Sequence, residues 1–218
     1  MEKFMISTLQ IKDAKHGLFK ISFSKQRIMK KYILDTFAEA LENYKLISNN
    51  KKIIDTLEVV TELSAKALLN GNKLIFAGNG GSAADAQHIS AEFIARFEKQ
   101  RSSLAAISLA TNISTLTAIS NDYGFDDIFS RQISSIALKG DIFFAISTSG
   151  NSQNIIKSVE VAKKRKIITI GLTGFNKGKI NNICDYIIEI PSKKTSRIQE
   201  GHILIGHTLC GLIEKKLF

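Results

Sequence analysis

Apolar residues recur at three- and four-residue spacing in two segments near the N-terminus, residues 27–44 and 51–69. This period is that of an amphipathic helix, and the Ser-Asn-Asn tripeptide at residues 48–50 supplies a connection between the two segments. Gly71 stands where the second helix would end, a position at which glycine is common. We therefore predict two helices in this part of the chain.

Short apolar runs alternate with helical stretches in the rest of the chain. The predicted strands cover residues 73–77, 104–109, 141–146, 167–173 and 186–190. A last helix is predicted from Ser196 to the C-terminus. Strands that alternate with helices are typical of a parallel sheet covered by helices, so we predict one α/β domain built on five parallel strands.

Length, cysteine content and hydropathy restrict the class of protein. A chain of 218 residues with 44% apolar residues can form one sizeable domain. Cys184 and Cys210 lie in apolar runs and cannot form a disulfide framework, which favours a reducing, cytoplasmic location. No apolar run reaches the roughly 20 residues that cross a bilayer, and the N-terminus does not read as an export signal. We expect neither a membrane nor a secreted protein.

The net charge of +10 could suggest nucleic acid, but it is unevenly distributed. Residues 1–31 hold eight Lys/Arg and two acids, so +6 of the excess lies there. We expect no nucleic-acid partner. Residues 1–26 form an N-terminal extension of unknown role, and residues 1–24 could be a loose arm, an added helix or a misassigned translation start. Met29 is a plausible alternative start.

Two polar loops directly follow predicted strands. The first, GNGGS at residues 78–82, lets the backbone approach a ligand closely and offers free N–H groups at the start of a helix. The second, STSGNS at residues 147–152, has four hydroxyl groups before a helix that begins at Gln153 and suits a phosphate group. Neither has the spacing of a nucleotide-binding motif. Either one alone could be an ordinary capped turn.

His88 and Glu92 are four residues apart, so they share a face of the helix predicted after the first loop. They could ligate a metal ion, act as an acid–base pair, or be a satisfied histidine beside a surface carboxylate. On the last helix, Gln199 and His207 are eight residues apart. At about 12 Å along the axis and roughly 80° around it, they barely converge on one ion unless two subunits share the site. Gly201 and Gly206 predict tight packing of this helix, plausibly between subunits.

An ordered set of motifs resembles the phosphoheptose isomerases of the sugar isomerase (SIS) domain family, from about residue 27 to the C-terminus. The matching motifs are GNGGS at residues 78–82, QHISAEF at 87–93, NDYGFDDIFSRQ at 121–132, ISTSGNS at 146–152 and RIQEGHILIGH at 197–207. Ser196 departs from the aspartate that these isomerases often carry there. The resemblance makes residues 27–218 a single SIS domain.

The resemblance implies a flavodoxin-like three-layer sandwich and a homotetramer with its sites at subunit interfaces. It also implies one zinc ion per subunit, whose ligands would be His88, Glu92, Gln199 and His207. The substrate would be sedoheptulose 7-phosphate, converted through an enediol to D-glycero-D-manno-heptose 7-phosphate for lipopolysaccharide or capsule. Glu92 and His207 would be the catalytic acid and base, in an order that the sequence leaves open.

The resemblance also assigns residues to the substrate. Those expected at the sugar are Asn79, Gly80, Gly81, Asn121 and Asp122. Ser82, Glu92, Arg96 and Gln199 are expected to bind the substrate as well. Those expected at the phosphate are Ser147, Thr148, Ser149 and Ser152.

Two other functions are compatible with the fold: a non-catalytic tetrameric replication-initiator-associating protein, and a sugar-phosphate sensor. The four expected ligands together favour the enzyme over the first, and the short N-terminal extension argues against the second.

Overall fold

The computed structural model describes residues 10–13, 17–20, 23–176 and 178–218, with side chains described from residue 26 onward. The chain divides into two compact units, one ending at Glu42 and the other running from Asn43 to Phe218. This division falls inside a helix, and the predicted boundary at residue 26 stays a prediction. Of the predicted extension, residues 1–9, 14–16, 21 and 22 lie outside the described residues.

The first unit contains an antiparallel strand pair and most of a long helix. Strands β1 (Gln10–Asp13) and β2 (Gly17–Lys20) pair with Gln10 opposite Lys20. Helix α1 (Phe23–Ser48) includes the predicted residues 27–44 and extends four residues beyond them at each end. The strand pair was not predicted, because four-residue strands are too short to show a clear alternation.

The second unit is built on a parallel sheet in the order β4-β3-β5-β6-β7. Its strands are β3 (Leu74–Gly78), β4 (Ala106–Ser108), β5 (Ile142–Ile146), β6 (Ile168–Gly174) and β7 (Tyr186–Ile190). All five predicted strands are confirmed, with ends that move by two residues at most. Numbered within this sheet, the order is 2-1-3-4-5, which is the flavodoxin-like order.

Helices cover both faces of the sheet. They are α2 (Lys51–Leu69), α3 (Gly81–Ile94), α4 (Ile113–Tyr123), α5 (Ser130–Ile136), α6 (Gln153–Lys164), α7 (Ile180–Ile183) and α8 (Thr195–Leu217), with a short 3-10 turn at Phe125–Asp127. The predicted second helix matches α2, whose N-cap residue Asn50 accepts a hydrogen bond from the Ile53 N–H at 3.2 Å. The predicted C-terminal helix matches α8, which begins one residue earlier.

The core has two halves because successive strand residues point to opposite faces. Leu74 and Phe76 of β3 belong to the half covered by α2, α3 and α8, and the Phe76 ring stacks on Phe144 of β5 at 4.7 Å. Ile75 and Ala77 belong to the half covered by α5 and α6. Every residue of β3 and β5 is buried. This is the three-layer α/β sandwich that was predicted.

Helix α8 lies against its neighbours at two glycines. A Cβ on Gly206 would lie 2.5 Å from Cδ1 of Ile89 in α3, and one on Gly201 would lie 2.8 Å from Cγ2 of Ile190 in β7. The tight packing predicted for α8 is therefore confirmed. Its partners at these positions are within the same chain, whereas the sequence suggested another subunit. Among the described residues, no helix is long and apolar enough to cross a membrane.

Candidate active site

The first glycine loop connects β3 to α3 at the carboxyl edge of the sheet. Gly80 has φ of +54°, in the region that favours glycine. The Asn79 side chain exchanges two hydrogen bonds of 2.9 Å with the amide of Asn154, a buried residue at the start of α6. This reciprocal pair fixes the Asn79 amide and ties the loop to the helix that follows the second loop. The sequence analysis did not identify Asn154.

The serine-rich loop follows β5, the neighbour of β3 in the sheet. Gly78 pairs with Ile146 at the ends of the two strands, so the loops leave the sheet side by side. The chain passes from β3 to β4 on one side and later to β5 on the other, and the point where strand order reverses is where ligands bind in open α/β sheets. Both loops thus lie at the predicted edge.

Short hydrogen bonds hold the serine-rich loop. The Ser147 and Ser152 hydroxyl oxygens lie 3.0 Å apart, and the Asn151 N–H donates to Ser149 Oγ at 3.2 Å. Thr148 contributes its carbonyl oxygen, which accepts from the Gly174 N–H at 3.1 Å. The result is a compact turn with three hydroxyl groups and a helix N-terminus close together, an arrangement that suits an anion.

Three chemically active side chains meet where α3 and α8 pack together. His88 Nε2 lies 3.1 Å from Glu92 Oε1 and 3.4 Å from His207 Nε2. The two imidazole rings meet edge to face with centroids 5.0 Å apart. His88 is exposed, whereas Glu92 and His207 are half-buried. The structure therefore brings together three of the four side chains predicted as metal ligands.

The spacing of this cluster suits zinc. One ligand atom from each of His88, Glu92 and His207 can be chosen so that all lie within 4.8 Å of one another. Zinc takes N and O ligands at about 2.0–2.2 Å in a tetrahedron, which places neighbouring ligand atoms about 3.3–3.5 Å apart. The observed 3.1 and 3.4 Å are close to that value. The residues present thus fit a metal ion of this kind.

Gln199, the fourth predicted ligand, lies beside the start of α3, away from this cluster. Its side-chain amide fills the space that a Cβ on Gly81 would occupy. Gly81 precedes His88 by seven residues, or about 10.5 Å along the helix. Gln199 is therefore beside the glycine loop, near Gly80 and Ser82, and its role as a metal ligand stays a prediction.

The remaining predicted residues lie on the surface of the chain. Asn121 and Asp122 are exposed at the end of α4, where the Asn121 amide donates to Asp122 Oδ1 at 2.9 Å. Arg96 is exposed just after α3 ends. No described hydrogen bond links these three residues to the His88 cluster, so their contact with a sugar also stays a prediction.

Asp85 is a second residue that the sequence analysis missed. It precedes His88 by three residues on α3, and its Oδ2 atom is buried with no hydrogen-bond partner in the described part of the chain. Burial raises the pKa of this carboxyl from 3.8 to about 6, partly offset by His88. The spacing of three residues could have placed it on the His88 face of the helix, but only the structure shows its burial.

Comparison with known proteins agrees with this fold. A family model described as the SIS domain matches residues 37–174. Phosphoheptose isomerase 2 of Campylobacter jejuni is 49% identical over 187 residues, which cover 86% of this chain and 93% of that protein. The phosphoheptose isomerase structure from Neisseria gonorrhoeae superposes with a TM-score of 0.80 at 39% identity, covering 86% of this chain and 99% of that one. That from Francisella tularensis gives 0.82 at 33% identity, covering 86% and 98%.

The fold and the extent of these matches agree on one class of protein. The chain belongs to the SIS-domain family and, within it, to the phosphoheptose isomerases. The predicted resemblance is thus confirmed. The matches cover 93% of the Campylobacter protein and 99% of the Neisseria chain.

Proposed function

We propose that this protein is an aldose–ketose isomerase that converts sedoheptulose 7-phosphate to D-glycero-D-manno-heptose 7-phosphate. The observation that carries the proposal is the convergence of His88, Glu92 and His207 within hydrogen-bond distance in a phosphoheptose isomerase chain. The reaction moves a proton from the carbon beside the carbonyl to its neighbour through an enediol. It therefore needs an acid and a base close to two adjacent carbons.

Glu92 and His207 supply these two groups. One takes the carbon-bound proton and returns it to the neighbouring carbon, while the other moves the proton between the two oxygens. Glu92 and His207 can take these two roles either way round in this arrangement. Their half-buried environment beside His88 limits the water that reaches them, which strengthens hydrogen bonds to the developing enediol.

A zinc ion would be held by His88, Glu92 and His207. Gln199, whose amide lies beside Gly81 in this chain, would be the fourth ligand where two subunits share the site. When bound, the zinc ion would polarise the carbonyl oxygen of the substrate as a Lewis acid. The two nitrogen ligands and the carboxylate are among the donors that zinc prefers.

The polar loops position the substrate on this chemistry. Ser147, Thr148, Ser149 and Ser152 bind the phosphate, with the N-terminus of α6 favouring its negative charge. The glycine loop, with Asn79, Gly80, Gly81 and Ser82, contacts the sugar. Arg96, Asn121, Asp122 and Gln199 complete the sugar contacts.

The protein works as a cytoplasmic homotetramer in this proposal, with its sites at subunit interfaces, and supplies heptose for lipopolysaccharide or capsule. Exposed Asn121, Asp122 and Arg96 are compatible with sites completed by a neighbouring subunit. The replication-initiator-associating function is the weaker candidate, since a binding module has no need of the clustered His88, Glu92 and His207 and the curated relatives are phosphoheptose isomerases.

Replacement of Glu92 tests the proposal directly. Glu92→Gln should abolish conversion of sedoheptulose 7-phosphate but leave binding of inorganic phosphate largely intact, because the serine-rich loop is unchanged. Glu160→Gln, an exposed carboxylate on α6, is the matched control and should keep full activity. Wild-type protein should also lose activity on chelation and regain it with zinc. Full activity of Glu92→Gln would refute the assignment.

A further inference from the structure

A loop beside the proposed site is bound to α8 through one buried carboxylate. The loop, residues 95–102, leads from the end of α3 toward β4. Glu214 of α8 is 1% exposed, and it accepts hydrogen bonds from the N–H groups of three consecutive loop residues, Phe97, Glu98 and Lys99, at 2.8, 2.8 and 2.9 Å. A carboxylate with three N–H donors is fixed in position, and it fixes the backbone that donates to it.

Arg101 connects the same carboxylate to the helix that carries Glu92. Its Nε donates to Glu214 Oε1 at 2.7 Å, its Nη2 donates to the carbonyl oxygen of Glu92 at 2.8 Å, and its Nη1 donates to that of Phe93 at 2.8 Å. These carbonyls belong to the last turn of α3, where helical partners are missing. The guanidinium, 1% exposed, therefore fixes the end of α3 that bears Glu92.

Phe97 extends the loop to the other proposed catalytic side chain. Its ring stacks on the imidazole of His207 with centroids 5.5 Å apart and planes inclined by 28°. Gly211, four residues after His207, lies beside the same ring, since a Cβ there would be in ordinary contact with Phe97 Cε1 at 3.5 Å. His207, Gly211 and Glu214 are at i, i+4 and i+7, so one face of α8 holds the imidazole, the ring that covers it and the anchor of the loop.

A buried ion pair is weak evidence of a contribution to stability. Burying an ion pair costs several kcal/mol per ion in desolvation, and apolar residues of similar volume often serve a fold as well. Here the hydrogen bonds from the pair end on the backbone of Glu92 and on the loop that carries Phe97. Burial opposes ionisation of Glu214, yet the hydrogen bonds from the loop N–H groups and Arg101 lower its pKa to about 2, which keeps the carboxylate charged.

We propose that Arg101, Glu214 and Phe97 are positioning residues for the His88–Glu92–His207 cluster. The ion pair holds the end of α3 and the loop in a fixed relation to α8, and the Phe97 ring restricts rotation of the His207 imidazole. Ligands held in this way bind a metal and a transition state better than free ones, because the ordering is not lost on binding. This inference rests on the proposed function of the cluster.

Phe97→Leu tests the ring contact without removing a buried group, because Phe97 is half-buried and leucine keeps most of its bulk. We expect kcat to fall about tenfold with little change in KM, and Zn²⁺ affinity, measured by calorimetric titration into metal-depleted protein, to fall by about tenfold. The urea midpoint should stay nearly unchanged. Phe97→Tyr keeps the ring and should keep both properties.

Phe218→Leu is the matched control, because it replaces another aromatic ring near the ion pair by leucine. Phe218 is half exposed, and its ring centroid lies 5.8 Å from the Arg101 guanidinium carbon, but no described contact joins it to the cluster. It should behave as wild type. Equal losses in Phe97→Leu and Phe218→Leu, or wild-type Zn²⁺ affinity and kcat in Phe97→Leu, would overturn the inference.

Glu214→Gln tests the anchor itself. It keeps the shape of the side chain but turns one acceptor into a donor that faces the loop N–H groups, so Zn²⁺ affinity should fall at least as far as in Phe97→Leu. If this variant does not fold, the Phe97 series alone decides. The proposed function is tested independently of these variants. It is wrong if wild-type protein shows no zinc-dependent isomerase activity.

Discussion

The Nε2 atoms of His88 and His207 lie 3.4 Å apart although 119 positions separate the two residues in the chain. The contact depends on their neighbours, since Gly206 precedes His207 and Ile89 follows His88. A Cβ on Gly206 would lie 2.5 Å from Cδ1 and 2.7 Å from Cγ1 of Ile89, which is buried. The absence of a side chain at residue 206 therefore sets how closely α3 and α8 approach, and with it the distance between the histidines.

Gly206→Ala should separate the two helices. Ile89 cannot move aside freely in the core, so overpacking should lower the free energy of unfolding by about 1–3 kcal/mol. Zinc affinity should fall with it, because the ligands move apart. Urea denaturation and a zinc titration measure the two effects.

Gly211→Ala is the matched control on the same helix. A Cβ there meets Phe97 Cε1 at 3.5 Å, an ordinary contact, and alanine favours a helix by up to about 1 kcal/mol over glycine. The variant should be as stable as wild type or slightly more so. Similar destabilisation by both substitutions would show that the Ile89 contact is not what matters.

Removal of either imidazole should empty the proposed metal site. We expect wild-type protein to retain about one zinc per chain after dialysis and His88→Ala or His207→Ala to retain little, since only two of the three clustered ligands would remain. Elemental analysis measures the zinc content. Thr208→Ala is the control, because Thr208 is exposed beside His207 and its hydroxyl donates to the Leu204 carbonyl of its own helix. Equal zinc content in all four proteins would contradict the assignment.

The paired amides of Asn79 and Asn154 should matter for substrate binding rather than for metal binding. Asn154→Ala removes both hydrogen bonds, worth about 1 kcal/mol each, and frees the Asn79 amide to turn. We expect KM to rise about tenfold with the zinc content unchanged. Asn72→Ala, which removes an amide that donates to the Lys139 carbonyl away from the two polar loops, should leave KM unchanged. An unchanged KM in Asn154→Ala would argue against the role of this pair.

Local patterns were enough to predict most of the fold. The five strands are short apolar runs and helix α2 carries a clear helical period, and these elements and α8 were found within two residues of their ends. The pairing of β1 with β2 was not predicted, since Gln10–Asp13 and Gly17–Lys20 are too short for an alternation to stand out. The partner of Gly206 could not be read from the sequence either, because a glycine shows that something lies close but not what it is.

The candidate site likewise contains residues that local spacing predicts and residues that it does not. His88 and Glu92 could be paired from a spacing of four residues, and the two loops from their positions after strands. The addition of His207 depended on the family resemblance, since no local rule relates residues 119 positions apart. Asp85, Asn154, Arg101 and Glu214 were missed because their significance comes from burial and from distant partners, such as the loop N–H groups that meet Glu214.

His202 should make the protein less stable in mild acid. Its ring is fully buried, with Nε2 3.2 Å from the Thr173 carbonyl oxygen, and burial lowers its pKa from 6.5 to about 4. The unfolded chain takes up the proton near pH 6.5 and the folded protein does not. The contribution of neutral His202 to the free energy of unfolding is therefore fully present above pH 6.5 and is lost as the pH falls toward 4. The loss should reach about 3 kcal/mol.

Asp85, whose raised pKa acts in the opposite direction at these pH values, is common to wild type and variant and cancels in their difference. His202→Gln keeps an N–H donor without a titrating group, so urea unfolding at pH 7, 5.5 and 4.5 should give a flatter acid dependence than in wild type. Parallel profiles for the two proteins would show that another group controls the acid response.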